Sequence, residues 1–471
     1  MSVETPDDRG QDAATDTGDA RVRVAIIGSG PAGSYAAGHL LRHSARELHV
    51  DLFERLPTPW GLVRAGVAPD HPKIKSVTKI YERTAEHARL RLFGNVEFGR
   101  EITLADLRAH YHAIIYAVGT PVDRSLGIPG EDLGRSYAAT DFVGWYNGHP
   151  DFTDLRFDLG GDRAVVVGAG NVALDVARML MLTERELAST DIADHALEVL
   201  AGSQIREVVV VARRGPEQAA FTNPELLELA ELSEADVVVD PAELALVEGV
   251  SDPNVDNTAR RNHDILREYA SSQPTGKPRR VVLRFMLSPL SIEGERRVES
   301  VTFARNELVA EEDGSLRARA TDARLSIPAH AVFRAIGYTG TPLPDVPFDQ
   351  RRGVIANAGG RVVGPAGVRR GEYVVGWAKR GPSGVIGTNK KDANDTVDRL
   401  LEDLGGGRLL EPPPISDAAL DAFIRERQPS VVDYAGWARI DSHERKLGED
   451  SGRPRRKLTR VQEMLAAAKR R

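Results

Sequence analysis

The hexapeptide Gly28-Ser29-Gly30-Pro31-Ala32-Gly33 follows directly on an apolar run, residues 22–27, and opens a helix-like stretch over residues 31–41. This order of strand, tight turn and helix is the start of a parallel βαβ unit, and it constrains the chain more than any other feature. Each glycine has a mechanical task in such a turn. Gly28 allows the sharp bend, Gly30 lets backbone approach a pyrophosphate, and Gly33 lets helix and strand pack closely. The next apolar run, residues 49–53, ends at Glu54, 21 residues past the third glycine. A carboxylate there accepts bonds from ribose hydroxyls and repels a 2′-phosphate, so the turn is expected to hold FAD or NAD.

The pattern restarts at residue 163. A strand over 164–167, a turn over 168–173 with Gly168, Ala169, Gly170, Asn171 and Ala173, and a helix over 172–182 form a second unit. Its second strand, 207–211, is followed by Arg213 and Arg214 where the first unit has an acid. Paired guanidiniums grip a 2′-phosphate through charge-assisted, often bidentate, hydrogen bonds, so this turn is expected to hold NADP. Two nucleotide sites of opposite ribose preference in one chain point to a flavoprotein that takes hydride from NADPH.

Where the electrons go next is narrowed by composition. The chain of 471 residues has no cysteine, which removes a redox-active disulfide, cysteine-ligated zinc and cysteine-bound iron–sulfur clusters together. Electrons must therefore leave for an external acceptor. Apart from His71, the histidines show no metal-ligand spacing, and no metal site is expected. The net charge of -7 argues against wholesale nucleic-acid binding. Its distribution is uneven: residues 1–20 carry six acids and one base, whereas residues 451–471 carry eight bases and one acid. The first segment has almost nothing to bury and reads as a disordered acidic leader. No stretch approaches the ~18 apolar residues of a membrane span, and the acidic start is unlike a secretion signal. A cytoplasmic protein is the expectation.

Further along, a buried strand is expected over 113–118, an antiparallel pair from 281–287 and 297–305, another strand over 331–336, a Pro-rich domain crossing over 341–347, and a polar helix over 389–404 behind a glycine-rich stretch. Leu458, Val461 and Leu465 fall at helical spacing in the basic tail.

Four segments carry a resemblance. PTPWGLVRAGVAPDHPKIK at 57–75, GAGNVALDVAR at 168–178, RRGPEQAAFT at 213–222 and VVGWAKRGPSGVIGTNKKDA at 374–393 resemble, in the same order, the adrenodoxin reductase-like class of ferredoxin–NADP reductases, including the mycobacterial type. The resemblance implies an α/β fold of two Rossmann-like dinucleotide-binding domains, the NADP domain (123–341) inserted into a discontinuous FAD domain (21–122 and 342–471). On matching positions it places FAD contacts at Ala32, Glu54, Leu62, Ile102, Trp377, Gly384, Val385 and Ile386. NADP contacts fall at Ala169, Gly170, Asn171, Val172, Arg213, Arg214, Glu225 and Gly384. It also pairs His71 with Glu228 near the flavin. Hydride passes directly between the two rings, so this pair is expected to tune and position rather than to act as an acid or base.

The expected activity is thus a ferredoxin–NADP(+) oxidoreductase, in which FAD converts a two-electron donor into two one-electron transfers to a ferredoxin-type iron–sulfur protein. The family implies a monomer. An FAD/NADPH-dependent monooxygenase would need an organic substrate pocket, and a nucleotide-responsive redox sensor would not need two complete sites. An acidic partner requires a local basic patch on an acidic protein. Candidates are Arg260, Arg261, Lys277, Arg279 and Arg280, with Arg64, Lys73, Lys75 and Lys79 nearer the flavin, and the tail from Arg453 onward either docks the partner or caps the FAD domain.

Overall fold

A computed structural model describes residues 21–43, 47–246, 255–312, 314–384 and 386–470. The expected acidic leader lies outside the described residues. The chain begins with β1 (Val22–Ile27), α1 (Pro31–Arg42), β2 (Leu48–Glu54), β3 (Leu90–Gly94) and β4 (Ala113–Tyr116), then leaves through a two-residue strand, β5 (Val122–Asp123). The next strands are β6 (Ser136–Ala138) and β7 (Arg163–Val167), followed by α2 (Asn171–Met181), β8 (Glu207–Val211), α3 (Asn223–Glu228), β9 (Ala235–Val239) and β10 (Arg279–Arg284). An antiparallel excursion, β11 (Leu287–Glu293), β12 (Ser300–Ala310) and β13 (Leu316–Pro328), precedes β14 (Ala331–Arg334) and the return strand β15 (Tyr338–Thr339). The last elements are β16 (Asn357–Ala358), β17 (Arg361–Gly364), β18 (Gly367–Val374), α4 (Ile386–Gly405), α5 (Tyr434–Glu449) and α6 (Val461–Ala468).

Two sheets result. The first has the order β16-β17-β18-β4-β1-β2-β3, the second β6-β14-β7-β8-β10-β9. In the first, β18 pairs in parallel with β4 although some 250 residues separate them, so the whole second unit is an insertion between neighbouring strands. The second sheet is parallel throughout. Its central strands are buried Val-rich runs, as a parallel sheet covered on both faces requires. The covalent link between the units is the ribbon of β5 against β15, with Tyr338 opposite Asp123 and Thr339 opposite Val122. It lies just ahead of the Pro-rich stretch expected to carry the crossing.

One expected pairing is corrected. Residues 281–287 are not a single strand. Met286 has φ 61°, which ends β10 as a parallel neighbour of β8 and β9, and only from Leu287 does the chain run antiparallel to β12. The basic tail is part of the first core: its Met464 and Ala467 are buried in one cluster with Trp437 and Ile440 of α5 and Leu40 and Leu41 of α1.

Candidate functional site

The first glycine turn is built as its spacing implies. Gly28 has φ 104°, and a Cβ there would lie 2.6 Å from the Ala117 carbonyl oxygen; one on Gly33 would lie 2.0 Å from the Gly28 carbonyl oxygen. Gly30, the N-cap of α1, faces only the Cα of Gly61 at 4.0 Å, so its outer side is open for an anion at the helix start. Glu54 ends β2 beside this turn. Its Oε2 accepts from the backbone N–H and the hydroxyl of Ser29 at 3.2 and 2.6 Å, and its Oε1 accepts from the Leu56 N–H at 3.0 Å. A carboxylate has about four acceptor positions, so one is left for a ribose hydroxyl. Trp60, at φ 84°, is tied to the turn by its backbone N–H, which donates to Ser29 Oγ at 3.3 Å.

The second turn repeats the design. Gly168, at φ 149°, would place a Cβ 2.2 Å from the Ala335 carbonyl oxygen, whereas Gly170, the N-cap of α2, has nothing within 4 Å of that position. Ala173 is wholly buried. Asn171 Oδ1 accepts from the Thr222 N–H at 2.8 Å and so fixes the loop after Arg213 and Arg214. Both arginines are exposed. The Arg213 side chain makes no hydrogen bond or ion pair among the described residues, and Arg214 makes a single long one, 3.5 Å to the Gln218 carbonyl oxygen. Two uncommitted guanidiniums at a strand end suit a phosphate dianion.

Both turns open into one cleft of about 2140 Å³. That is twice the upper range of ordinary ligand pockets and leaves room for two nucleotides end to end. Ala32, Leu62, Ala169, Val172, Trp377, Gly384 and Ile386 line it. Gly376, at φ 70°, would bring a Cβ to 2.6 Å from the Ala32 Cβ, and this close approach sets the N-terminus of α4 beside that of α1. The Trp377 ring lies 5.6 Å from that of Tyr338 on the return ribbon. Val385 lies outside the described residues. Ile102 is 1% exposed and buried in one cluster with Val96 and Phe98, which line the cleft with Glu97.

Where the two units meet, His71 Nε2 lies 2.7 Å from Glu228 Oε2 and 3.7 Å from Glu225 Oε2. The same nitrogen is 2.7 Å from Nη2 of Arg178, a residue of α2. Arg178 also donates to Asp70 at 2.6 Å and to Asp175 at 2.8 Å. Its guanidinium, 3% exposed, thus ties the first unit to the second. Burial opposes its charge, but Asp175, Asp70 and Glu225 raise its pKa above the ordinary arginine value. His71, Asp175 and Glu225 have the spacing of a metal-ligand group, yet the guanidinium supplies the cation among them. Burial, then Asp175 and Glu228, push Glu225 up to about 7 against the opposing pull of His71 and Arg178. Sequence reading missed Arg178 and Asp175; their i, i+3 spacing inside an otherwise apolar helix was the available signal.

The expected basic patches separate. Arg279 and Arg280 sit at the start of β10, with Lys277 just before it, about 20 Å along the strand from the nucleotide edge of the sheet. They are engaged internally: Lys277 with the Leu232 carbonyl, Arg279 with the Met181 and Leu182 carbonyls, Arg280 with Glu207. Arg260 and Arg261 are exposed on the helix Asn257–Ser271, Arg261 paired with Glu268. Arg64 and Lys75 are paired with Glu444 and Asp191. Lys73 and Lys79 stay exposed without an ion pair among the described residues, and Lys73 lines the cleft.

Residues 22–216 match the model of the pyridine nucleotide-disulphide oxidoreductases, although this chain has no cysteine to form a disulfide. The chain is 51% identical to the NADPH-ferredoxin reductase FprA of Mycobacterium tuberculosis over 94% of its own length and 98% of the relative's. It is 40% identical to the mitochondrial NADPH:adrenodoxin oxidoreductase of Salvelinus fontinalis, over 97% and 93% of the two chains. The solved structure of M. tuberculosis FprA in complex with NADPH superposes with a TM-score of 0.90 at 50% identity, covering 95% of this chain and 100% of that one. With half of its residues shared along nearly the full length of both chains, the protein belongs to the adrenodoxin reductase-like ferredoxin–NADP reductases, the family of FprA.

Proposed function

We propose that this protein is an NADPH–ferredoxin oxidoreductase that holds FAD in the first unit and NADP(H) in the second and passes electrons to a ferredoxin-type iron–sulfur protein. The observation that carries the reading is the single cleft into which both glycine turns open, with a carboxylate, Glu54, at one ribose position and two guanidiniums, Arg213 and Arg214, at the other. Bound FAD would supply a two-electron acceptor able to release electrons singly. Gly28, Gly30, Ala32, Glu54, Leu62, Trp377, Gly384 and Ile386 would hold it, Gly33 acting by letting α1 approach β1. Gly168, Ala169, Gly170, Asn171, Val172, Arg213, Arg214 and Glu225 would hold the second nucleotide.

The chain's own groups do the rest. The N-termini of α1 and α2 present free amides to phosphates. The start of α4 lines the cleft, and amides at a helix N-terminus there would favour negative charge. His71, Glu228 and Arg178 fix the spacing of the units from the side. We assign residues 21–122 and 342–471 to the FAD domain and 123–341 to the NADP domain, and a cytoplasmic setting. Among the described residues no helix is long and apolar enough to cross a membrane.

The test is an anaerobic titration of the purified protein. NADPH alone should bleach the flavin absorbance, NADH should do so far less well, and an added ferredoxin should restore it. A preparation that binds no flavin, or whose flavin is reduced equally by both nucleotides, would overturn the reading.

A further inference from the structure

A ribbon two residues wide in each strand is the covalent join between the units, and it leaves their mutual angle to noncovalent contacts. The Arg178 cluster is one set of these. Residues 453–460, between α5 and α6, make a second.

Its centre is Lys457, whose side chain is 1% exposed. Burial pushes the Lys457 ammonium well below the ordinary lysine range and Asp191 opposes that shift; the group makes two hydrogen bonds and one ion pair. Nζ lies 3.1 Å from the Arg64 carbonyl oxygen, 3.1 Å from Asn147 Oδ1 and 3.3 Å from Asp191 Oδ2. Arg64 belongs to the first unit's cleft wall and Asn147 to the second's. Asp191 also takes Lys75 of the first unit at 2.6 Å. Burial alone would raise Asp191, but Lys457 and Lys75 overcome it and hold the carboxyl at about 2. On either side of Lys457 the tail grips the same face. Arg453 donates to the Thr190 and Ile192 carbonyls and pairs with Asp194 at 2.6 Å, Arg456 pairs with Asp194 at 2.5 Å, and Arg460 pairs with Asp154. Thr459 lies so close to Gly148 that a Cβ there would come within 2.9 Å of it. The other end is anchored in the first unit. Buried Glu444 of α5 accepts from Arg64, from Arg455 and from the Leu458 N–H at 2.9 Å.

We propose that residues 453–460 are a strap that sets how closely the NADP-holding wall of the cleft faces the FAD-holding wall, with Lys457 as its positioning residue. The proposal rests on the functional reading above. Ring-to-ring hydride transfer is steep in distance, so a strap touching both walls at Arg64 and Asn147 governs its rate without touching either nucleotide.

Two variants test it. Lys457→Met keeps the apolar stem and removes all three contacts. The double variant Arg456→Gln, Arg460→Gln loosens the strap from its exposed side, where the side chains are 43% and 46% accessible, and leaves the core alone. Hydrogen exchange of the FAD-loaded protein without NADPH should rise in residues 147–154 and 190–194 in both. Flavin reduction at saturating NADPH should slow about tenfold in Lys457→Met and less in the double variant. Affinity for 2′,5′-ADP, a probe of Arg213 and Arg214, should stay within about twofold. Unchanged exchange, or wild-type reduction rates in FAD-loaded variants, would overturn the strap. If Lys457→Met fails to hold FAD, the double variant decides by the same two readouts. If the unaltered protein is not reduced by NADPH, the functional reading fails, and exchange still judges the strap.

Discussion

His71 Nε2 and Glu228 Oε2 meet at 2.7 Å across the join of the two units, and the same nitrogen lies 2.7 Å from the Arg178 guanidinium. Arginine only donates, and a carboxylate only accepts. The imidazole nitrogen therefore either carries a proton and donates a hydrogen bond to Glu228, or is unprotonated and accepts a hydrogen bond from Arg178, and cannot do both. His71→Gln, which retains a polar side chain but loses the titratable ring, should lower the flavin reduction rate or the NADPH affinity about three- to tenfold with FAD content unchanged. Stopped-flow reduction at several NADPH concentrations separates the two effects, and wild-type kinetics would remove the role.

The same cluster makes a prediction about pH. Glu225 is raised from its ordinary 4.5 to about 7 in the folded protein, chiefly by burial and then by Asp175. Between those values the folded state binds the extra proton, so this group's contribution to stability is full below about pH 4.5 and is lost as pH rises toward 7. Glu225→Gln should remove that dependence. Its melting temperature relative to wild type should climb from pH 4.5 to pH 7 and level off above. A difference that is flat with pH would show that Glu225 titrates normally.

These two predictions rest on what one chain of residues conceals. The glycine turns, Glu54 and Arg213–Arg214 were legible because each lies within about 45 residues of its own strand and helix, and local spacing determines their geometry. Arg178 reads as an ordinary helix arginine until folding brings Asp70, more than 100 residues away, onto it. Ile102, which resemblance alone places at the flavin, is buried in one cluster with Phe98 of the cleft wall, a neighbourhood that local spacing does not reveal. From sequence alone the tail is either a docking element or a cap. Its charges are matched to Asp154, Asp191 and Asp194, partners some 260 to 310 residues distant that no periodicity reveals.

Arg213 and Arg214 are exposed, and neither holds a strong internal partner among the described residues. Replacing both with Gln should therefore leave melting unchanged. It should raise the KM for NADPH by at least two orders of magnitude while leaving NADH almost untouched, since each of the two lost charge-assisted bonds to phosphate is worth roughly 1.5 to 3 kcal/mol. Steady-state kinetics with the two coenzymes check this. A parallel loss with NADH would place the arginines on some other part of the nucleotide.

An acidic iron–sulfur partner is expected to dock on exposed lysines such as Lys73, which lines the cleft, and Lys79, and not on Lys277, Arg279 and Arg280, which are engaged internally away from the nucleotide edge of the second sheet. Exposed charges are screened over ~8–10 Å at physiological salt. Ferredoxin reduction should fall steeply between low and moderate ionic strength while reduction of a small neutral acceptor hardly changes. Equal salt dependence for the two acceptors would argue against an electrostatic dock.

The two fingerprints also predict opposite consequences for one substitution. At Gly33 an added methyl group would stand 2.0 Å from the Gly28 carbonyl oxygen, a backbone atom that can move only if α1 lifts from β1. Gly33→Ala should therefore damage the fold of the first unit, lowering the melting temperature and yielding protein with little flavin. At Gly170 the backbone is extended, φ -118°, and nothing lies within 4 Å of the added atom. Gly170→Ala should fold and bind FAD as wild type does, yet lose at least tenfold in NADPH affinity, because the methyl group occupies the space where pyrophosphate approaches the α2 amides. Calorimetry and flavin content on both variants separate the cases. Wild-type NADPH affinity in Gly170→Ala would mean that the second turn does not cradle a phosphate.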